Sequence, residues 1–295
     1  MERVCEMVKK SLAARTYNPF QSIRLAHLEF AKPDIAEACE TMEASGCDRI
    51  VAYPLFISVS SHSERDIPNA LNIRFHDFSD PEIRRYTGRL PVTYTAPMDH
   101  GPILPSMVAE CAKEISIDPA NESVVILSHG GGCEHFWEHV HRRAAQAVTD
   151  LTSIKDVSWV TVQTGRSPES QDRVVSVVQE IRDVNPSRRI LILSCFGGLS
   201  GSQFIDRVNQ GLLKRGKDEI KGLIGCSGWI NRQPVIEEIA NVVQRAAAAA
   251  TGERVPDIEA MTQLSDKKEH PPYNPPFWLT KDREGREKMI TRRRL

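Results

Sequence analysis

The stretch Val124-Val125-Ile126-Leu127-Ser128-His129-Gly130-Gly131-Gly132 decides how the chain is read. Four consecutive apolar residues without alternation would be buried on both sides if extended, which is the pattern of a strand inside a parallel sheet. A serine, a histidine and three glycines follow at once. The strand therefore ends on an imidazole, beside a backbone that a large flat ligand can approach closely. In an open parallel sheet the residues just past the strand ends form the ligand crevice.

Working outward, strands and helices alternate along the whole chain. In the first half Glu2–Arg15 reads as a helix, Ile23–His27 as a short strand and Pro33–Ser45 as a helix. The last carries Ile35, Ala36, Cys39 and Met42 on one side, Glu37, Glu40 and Glu43 on the other, and Gly46 stops it. Arg49–Phe56 is a strand, Glu64–Leu71 a short helix, Val92–Ala96 a strand and Pro102–Ile115 a helix. The second half repeats this order. It has strands at Val124–Ser128, Val157–Gln163, Arg189–Phe196 and Leu223–Cys226, and helices at Glu134–Asp150, Gln171–Val184, Gln203–Lys214 and Pro234–Ala250.

The fold class expected is α/β, with two similar lobes, each a parallel sheet with helices on both faces. Phe56 falls on Phe196, His62 on Ser202 and Asp66 on Asp206 at an offset of 140, and Pro33 falls on Pro168 and Glu29 on Thr164 at an offset of 135. This order implies an internal duplication. The lobes expected are 1–118 and 119–250, with 251–295 a charged, proline-rich tail that is either flexible or an arm over the body. One element has no counterpart. The second lobe opens with the strand ending in His129, whereas the first opens on a helix and lacks its first strand. Either Met1 is not the true start or that strand has been lost.

The bulk numbers exclude several classes. The 295 residues are 40% hydrophobic and 26% charged, as in a soluble globular protein. A net charge of −1 offers no footprint for nucleic acid or a membrane surface. No apolar run approaches the ~20 residues that span a bilayer, and the N-terminus lacks the apolar core of a signal peptide. Seven scattered cysteines without a C-x-x-C pair imply free thiols and a cytoplasmic setting.

The chemistry-bearing residues just past the strands are Glu29 and His62 in the first half, and His129, Thr164 and Ser202 in the second. Imidazole and carboxylate at strand tips suit a divalent first-row metal, and either group can remove a proton near neutral pH.

Leu25–Leu71, "LAHLEFAKPDIAEACETMEASGCDRIVAYPLFISVSSHSERDIPNAL", resembles the CbiX-type sirohydrochlorin chelatases, the class II, ATP-independent tetrapyrrole chelatases. Ala31 and Pro33 hold their places in the family's first run, Pro54-Leu55-Phe56 in its strand, and His62 with Asp66-Ile67-Pro68 in its loop. His27 departs from the pattern, and Ser60-Ser61 replaces the usual small-residue pair. The likeness covers Ser22 to Ile115 well. It extends more loosely over Ser123 to Ala250 through Ser128-His129-Gly130.

The resemblance implies insertion of Co2+, or else Fe2+ or Ni2+, into a sirohydrochlorin-type tetrapyrrole of cobalamin or siroheme biosynthesis, without ATP. It implies two similar lobes facing each other across a cleft. His62, His129 and Glu29 are then the expected metal and proton-transfer residues, forming one composite site if both lobes line that cleft. Gly130, Gly131, Ser60, Ser61 and Arg65 are expected around the macrocycle. The expected partner is the tetrapyrrole, with no nucleic acid or membrane, and a homodimer is left open. A non-catalytic tetrapyrrole or metal carrier on the same fold is the alternative.

Three further features carry other readings. His135-Phe136-Trp137-Glu138-His139 matches the inverted zincin pattern and would serve a zinc hydrolase, but no third ligand can be nominated. His135, His139 and His141 are expected on a polar helix surface. The loop within Ser194–Gln203 is rich in glycine but lacks both phosphate-loop patterns, so room for a macrocycle explains it better. Cys133 and Cys195 lie near strand tips, where a buried free thiol is the ordinary outcome.

Overall fold

In a computed structural model the chain is described at residues 1–55, 62–73, 82–95, 97–98, 103–129, 134–162, 168–195, 201–220, 222–226, 229–251, 278–281 and 287–290. It divides into two compact units, Met1–Gly101 with Asn231–Leu295, and Pro102–Ile230.

The elements of the first unit are α1 (Glu2–Ala13), α2 (Ile35–Ala44), β1 (Ile50–Ala52), α3 (Ile67–Ala70) and β2 (Val92–Tyr94). Those of the second are α4 (Ile103–Ile115), β3 (Glu122–His129), α5 (Glu134–Thr152), β4 (Asp156–Val162), α6 (Pro168–Val184), β5 (Arg189–Ser194), α7 (Gly201–Lys214) and β6 (Leu223–Cys226). The chain then returns to the first unit with α8 (Gln233–Thr251), β7 (Trp278–Lys281) and β8 (Glu287–Ile290). Division by contact thus differs from division by sequence repeat. The last helix of each sequence half, α4 and α8, packs in the unit that the other half builds.

The second unit is the parallel α/β layer that its apolar runs require. Its sheet order is β4-β3-β5-β6, and every pair is parallel. Val124, Val125, Ile126 and Leu127 are all fully buried, because helices cover both faces. Val125 and Leu127 pack with Ile190, Ile192, Val175 and Leu212 in one core. At the base of β3 the buried Glu122 carboxylate accepts from Ser116 Oγ at 2.5 Å, from the Ile117 amide at 3.0 Å and from the Arg189 guanidinium. A buried charge is tolerable only with such pairing.

The first unit is thinner. β1 and β2 are parallel, and β7 and β8 add an antiparallel hairpin to β2, giving the order β1-β2-β7-β8. The charged tail therefore contributes an arm that covers the β2 edge, whose backbone groups would otherwise be open to other strands. Helix α1 is tied to α8 through Arg15, whose guanidinium reaches Glu237 Oε2 at 2.6 Å and Asn241 Oδ1 at 2.8 Å. Ile50, Val92, Leu71 and Tyr86 form the core on the α2 side.

The expected strand Ile23–His27 does not form. The segment is extended, but its only pairing is a single bridge between His27 and Asp34, where the His27 amide donates to Pro33 O at 2.9 Å. A strand needs a ladder partner, and among the described residues this segment has none beyond that bridge. Helix α2 starts on a capping box: Asp34 accepts from the Glu37 amide at 2.8 Å, and the Glu37 carboxylate accepts from the Asp34 amide at 3.1 Å. No helix among the described residues is long and apolar enough to cross a membrane.

Asp34→Ala removes the Asp34 side of that box and should lower the unfolding free energy by about 1 kcal/mol in urea titrations. An unchanged midpoint and slope would show that the cap contributes nothing.

Candidate metal and macrocycle site

Beyond β1 the chain passes the buried Pro54 and re-enters the described structure at His62. His62–Asp66 makes one π-helical turn that runs straight into α3, where Pro68 is buried near the first position. π-turns of this kind are frequent at functional sites. The Tyr94 hydroxyl donates to Ser63 O at 2.7 Å, which ties the turn to β2.

The turn places residues 62 and 66 on one side, and their side chains meet. His62 Nδ1 lies 2.8 Å from Asp66 Oδ2, and Arg65 Nε donates to Asp66 Oδ1 at 2.9 Å. The Asp66 side chain is only 3% exposed, whereas that of His62 is 43% exposed. A buried carboxylate beside a guanidinium is an acceptor only, so the imidazole proton sits on Nδ1 and the ring's lone pair on Nε2. This is the arrangement by which a second carboxylate fixes the tautomer and orientation of a metal-binding histidine. Asp66 stands at the N-cap of α3, but its side chain makes no cap hydrogen bond. The four-residue spacing in a helical turn was the sequence signal for the pair.

Glu29 is half-buried on the loop between the extended segment and α2, next to Phe30, which is fully exposed with φ +62°. His129 is the last residue of β3, level with Val162 of β4. Its side chain lies outside the described residues, as do Ser60, Ser61, Gly130, Gly131, Cys133 and Thr164 and the side chain of Ser202. Among the described residues no three His, Cys, Asp or Glu side chains group to hold a metal ion. The Cys195 thiol is pushed up to about 12 by burial, so it carries no thiolate for a metal at neutral pH.

Helix α5 corrects one expectation. His141 is not on a polar surface; it is 1% exposed. Its Nε2 shares a hydrogen bond with Ser128 Oγ, and its ring stacks on Trp159 at 5.8 Å between centroids. It thereby braces the end of β3 one residue before His129. Glu138 of the zincin-like pattern is exposed and paired with Arg142, at 2.5 Å between Oε1 and Nη2, while the His135 and His139 side chains lie outside the described residues.

Residues 2–115 match the CbiX family model. The sirohydrochlorin cobaltochelatase of Saccharolobus solfataricus is 36% identical over 80 residues, which are 27% of this chain and 59% of that protein. The sirohydrochlorin cobaltochelatase of Methanococcoides burtonii is 28% identical over 98 residues, 33% of this chain and 74% of that protein. Among solved structures, SirB from Bacillus subtilis with Fe3+ aligns with a TM-score of 0.60 and 16% identity, covering 85% of this chain and 91% of SirB. DR2241 from Deinococcus radiodurans, a multi-domain protein with structural similarity to chelatases, aligns at 0.53 and 18% identity over 84% of this chain and 50% of its own. These structural likenesses establish the α/β chelatase fold.

Burial lowers the His141 pKa from 6.5 to about 4. Below pH 6.5 the unfolded chain takes up a proton that the folded chain refuses until about pH 4, so acidification favours unfolding across that window. The loss should reach the order of 3 kcal/mol. Urea midpoints of wild type and His141→Phe between pH 7 and 4.5 should converge as pH falls, because the variant lacks this proton uptake. Parallel curves would contradict the assignment.

Proposed function

We propose, from the CbiX match over residues 2–115, that the protein inserts a divalent metal, Co2+ before Fe2+ or Ni2+, into a sirohydrochlorin-type tetrapyrrole without ATP. The observation that supports this reading is the Asp66–His62 hydrogen bond, which holds a half-exposed imidazole, a metal-binding and proton-accepting group, against a buried carboxylate.

Insertion exchanges two pyrrole N–H protons for one M2+ ion. The protein must therefore present the ion and take up protons. Neutral imidazole suits both tasks with first-row metals. As each proton leaves, positive charge builds on His62, and the buried Asp66 carboxylate stabilises it. Glu29, on the loop before α2, is assigned as a second ligand or base, and His129, the last residue of β3, as a further donor. Arg65, bound through Nε to Asp66, is assigned to a carboxylate of the macrocycle; Ser60, Ser61, Gly130 and Gly131 are assigned as small residues that admit its flat face. Six described cysteines, Cys5, Cys39, Cys47, Cys111, Cys195 and Cys226, form no disulfide among the described residues, in keeping with a proposed reducing cytoplasm.

The test is the absorbance change of sirohydrochlorin mixed with Co2+ and the protein, with and without ATP. Wild type should accelerate metallation equally in both. His62→Ala should abolish the acceleration, and Asp66→Asn should slow it by about 10–100-fold, measured at a temperature where both variants remain folded. Binding of the macrocycle without acceleration would instead establish a carrier.

A further inference from the structure

The tip of β3 is held by its ladders on one side only. Among the described residues, pairing with β5 stops at Leu127, whose carbonyl accepts from the Cys195 amide at 2.8 Å. Ser128 and His129 continue beside β4 alone, level with Thr161 and Val162. Three glycines follow in the sequence, and glycine restrains a backbone less than any other residue. Of all positions in β3, the last is therefore the one whose direction the sheet fixes least.

A side-chain contact stands where the second ladder ends. Ser128 is fully buried, and its hydroxyl meets Nε2 of His141, which is 1% exposed on the stripe of α5 that also buries Val140, Ala144 and Val148. Level residues of neighbouring strands share a face, and Trp159 is level with Ile126, two residues before Ser128. Trp159 and Ser128 therefore stand on the same side of the sheet, with the His141 ring against both. The ring lies 5.8 Å from the indole, at an interplanar angle of 19°. The contact spans 13 residues and ties α5 back to the strand that precedes it, joining the two elements that flank the glycines.

Burial alone does not require this pair. Apolar groups of the same shape could fill the place at little cost in stability. A hydrogen bond inside an apolar stripe supplies direction instead, because few arrangements satisfy both polar groups.

We propose that His141 is a positioning residue for metal capture: through Ser128 it fixes the twist of the β3 tip, and with it the side to which residue 129 turns, so that His129 meets an incoming divalent ion already oriented. The inference rests on His129 being a metal donor. It adds to that reading a second histidine, one too deeply buried to touch metal or macrocycle, which acts through the strand. Trp159 holds the ring of that histidine flat against the tip.

The probe is Co2+ alone, titrated into the 15N-histidine-labelled full chain, with the His129 resonance assigned by its loss in His129→Gln. The readout is the Co2+ concentration that half-broadens this resonance, which does not depend on turnover. Replacing both partners together, Ser128→Ala with His141→Phe, should raise that concentration by about 10-fold while the thermal midpoint at pH 7 stays where it is. His141→Gln, which can still bond to Ser128, should recover most of the wild-type value, and against Ser128→Ala alone it gives the same comparison should the double variant not fold. The proposal is overturned if Co2+ reaches His129 in the variants without the hydrogen bond as readily as in wild type. A wild-type His129 resonance indifferent to Co2+ overturns both the positioning and the donor role. Binding that depends on the Ser128–His141 bond, in a chain that fails to metallate sirohydrochlorin, upholds the positioning and refutes the enzyme.

Discussion

A strand of unbroken apolar residues is stable only when both of its faces are covered, and this demand arranges the molecule. In the second unit β3 meets it most fully: it has β4 and β5 beside it and helices over both faces, so four successive apolar residues are fully buried. In the first unit the β7–β8 hairpin from the charged C-terminal segment continues the sheet beyond β2. In such open sheets with covered faces, polar chemistry gathers past the strand ends. There the chain places the turn His62–Asp66.

That turn converts burial into chemistry. Asp66 cannot sit at 3% exposure as a lone charge, so it draws in Arg65 and His62. Satisfying the carboxylate orients the imidazole through Nδ1. The same two hydrogen bonds therefore stabilise the turn and fix the ring that is proposed as a ligand. At the end of β3 a different device acts. Ser128 and the buried His141 fix the strand tip with a neutral imidazole kept from protonation by burial, so this histidine is structural where His62 is exposed enough to work.

Much of this was legible in the sequence. Unbroken runs such as Val124–Leu127 and Ile190–Leu193 announce a two-sided parallel sheet, and Asp34 with Glu37 marks the start of a helix. Four features were not legible. Ile23–His27 reads as a strand because local propensity cannot see whether a ladder partner stands beside it. The hairpin at Trp278–Ile290 is hidden because its segment is charged and its stability comes from a distant edge. His141 reads as a surface residue because it is polar, yet it lies on the buried stripe of α5 with Val140, Ala144 and Val148. The exchange of α4 and α8 between units follows from tertiary packing, for which a repeat in sequence carries no signal. At the proposed site, His62 and Glu29 were singled out from motif and position, and the four-residue spacing of His62 and Asp66 becomes a hydrogen bond only in the turn itself.

The central claim is that Asp66 holds His62 with its proton on Nδ1 so that Nε2 can take a metal. The most direct measurement is long-range proton–nitrogen NMR of 15N-histidine-labelled protein, with His62 assigned by comparison with His62→Gln, before and during titration with Co2+. The account predicts an Nδ1–H imidazole whose Nε2 resonance broadens first as the paramagnetic ion is added. An Nε2–H tautomer, or a His62 resonance indifferent to Co2+ while other histidines respond, would contradict it.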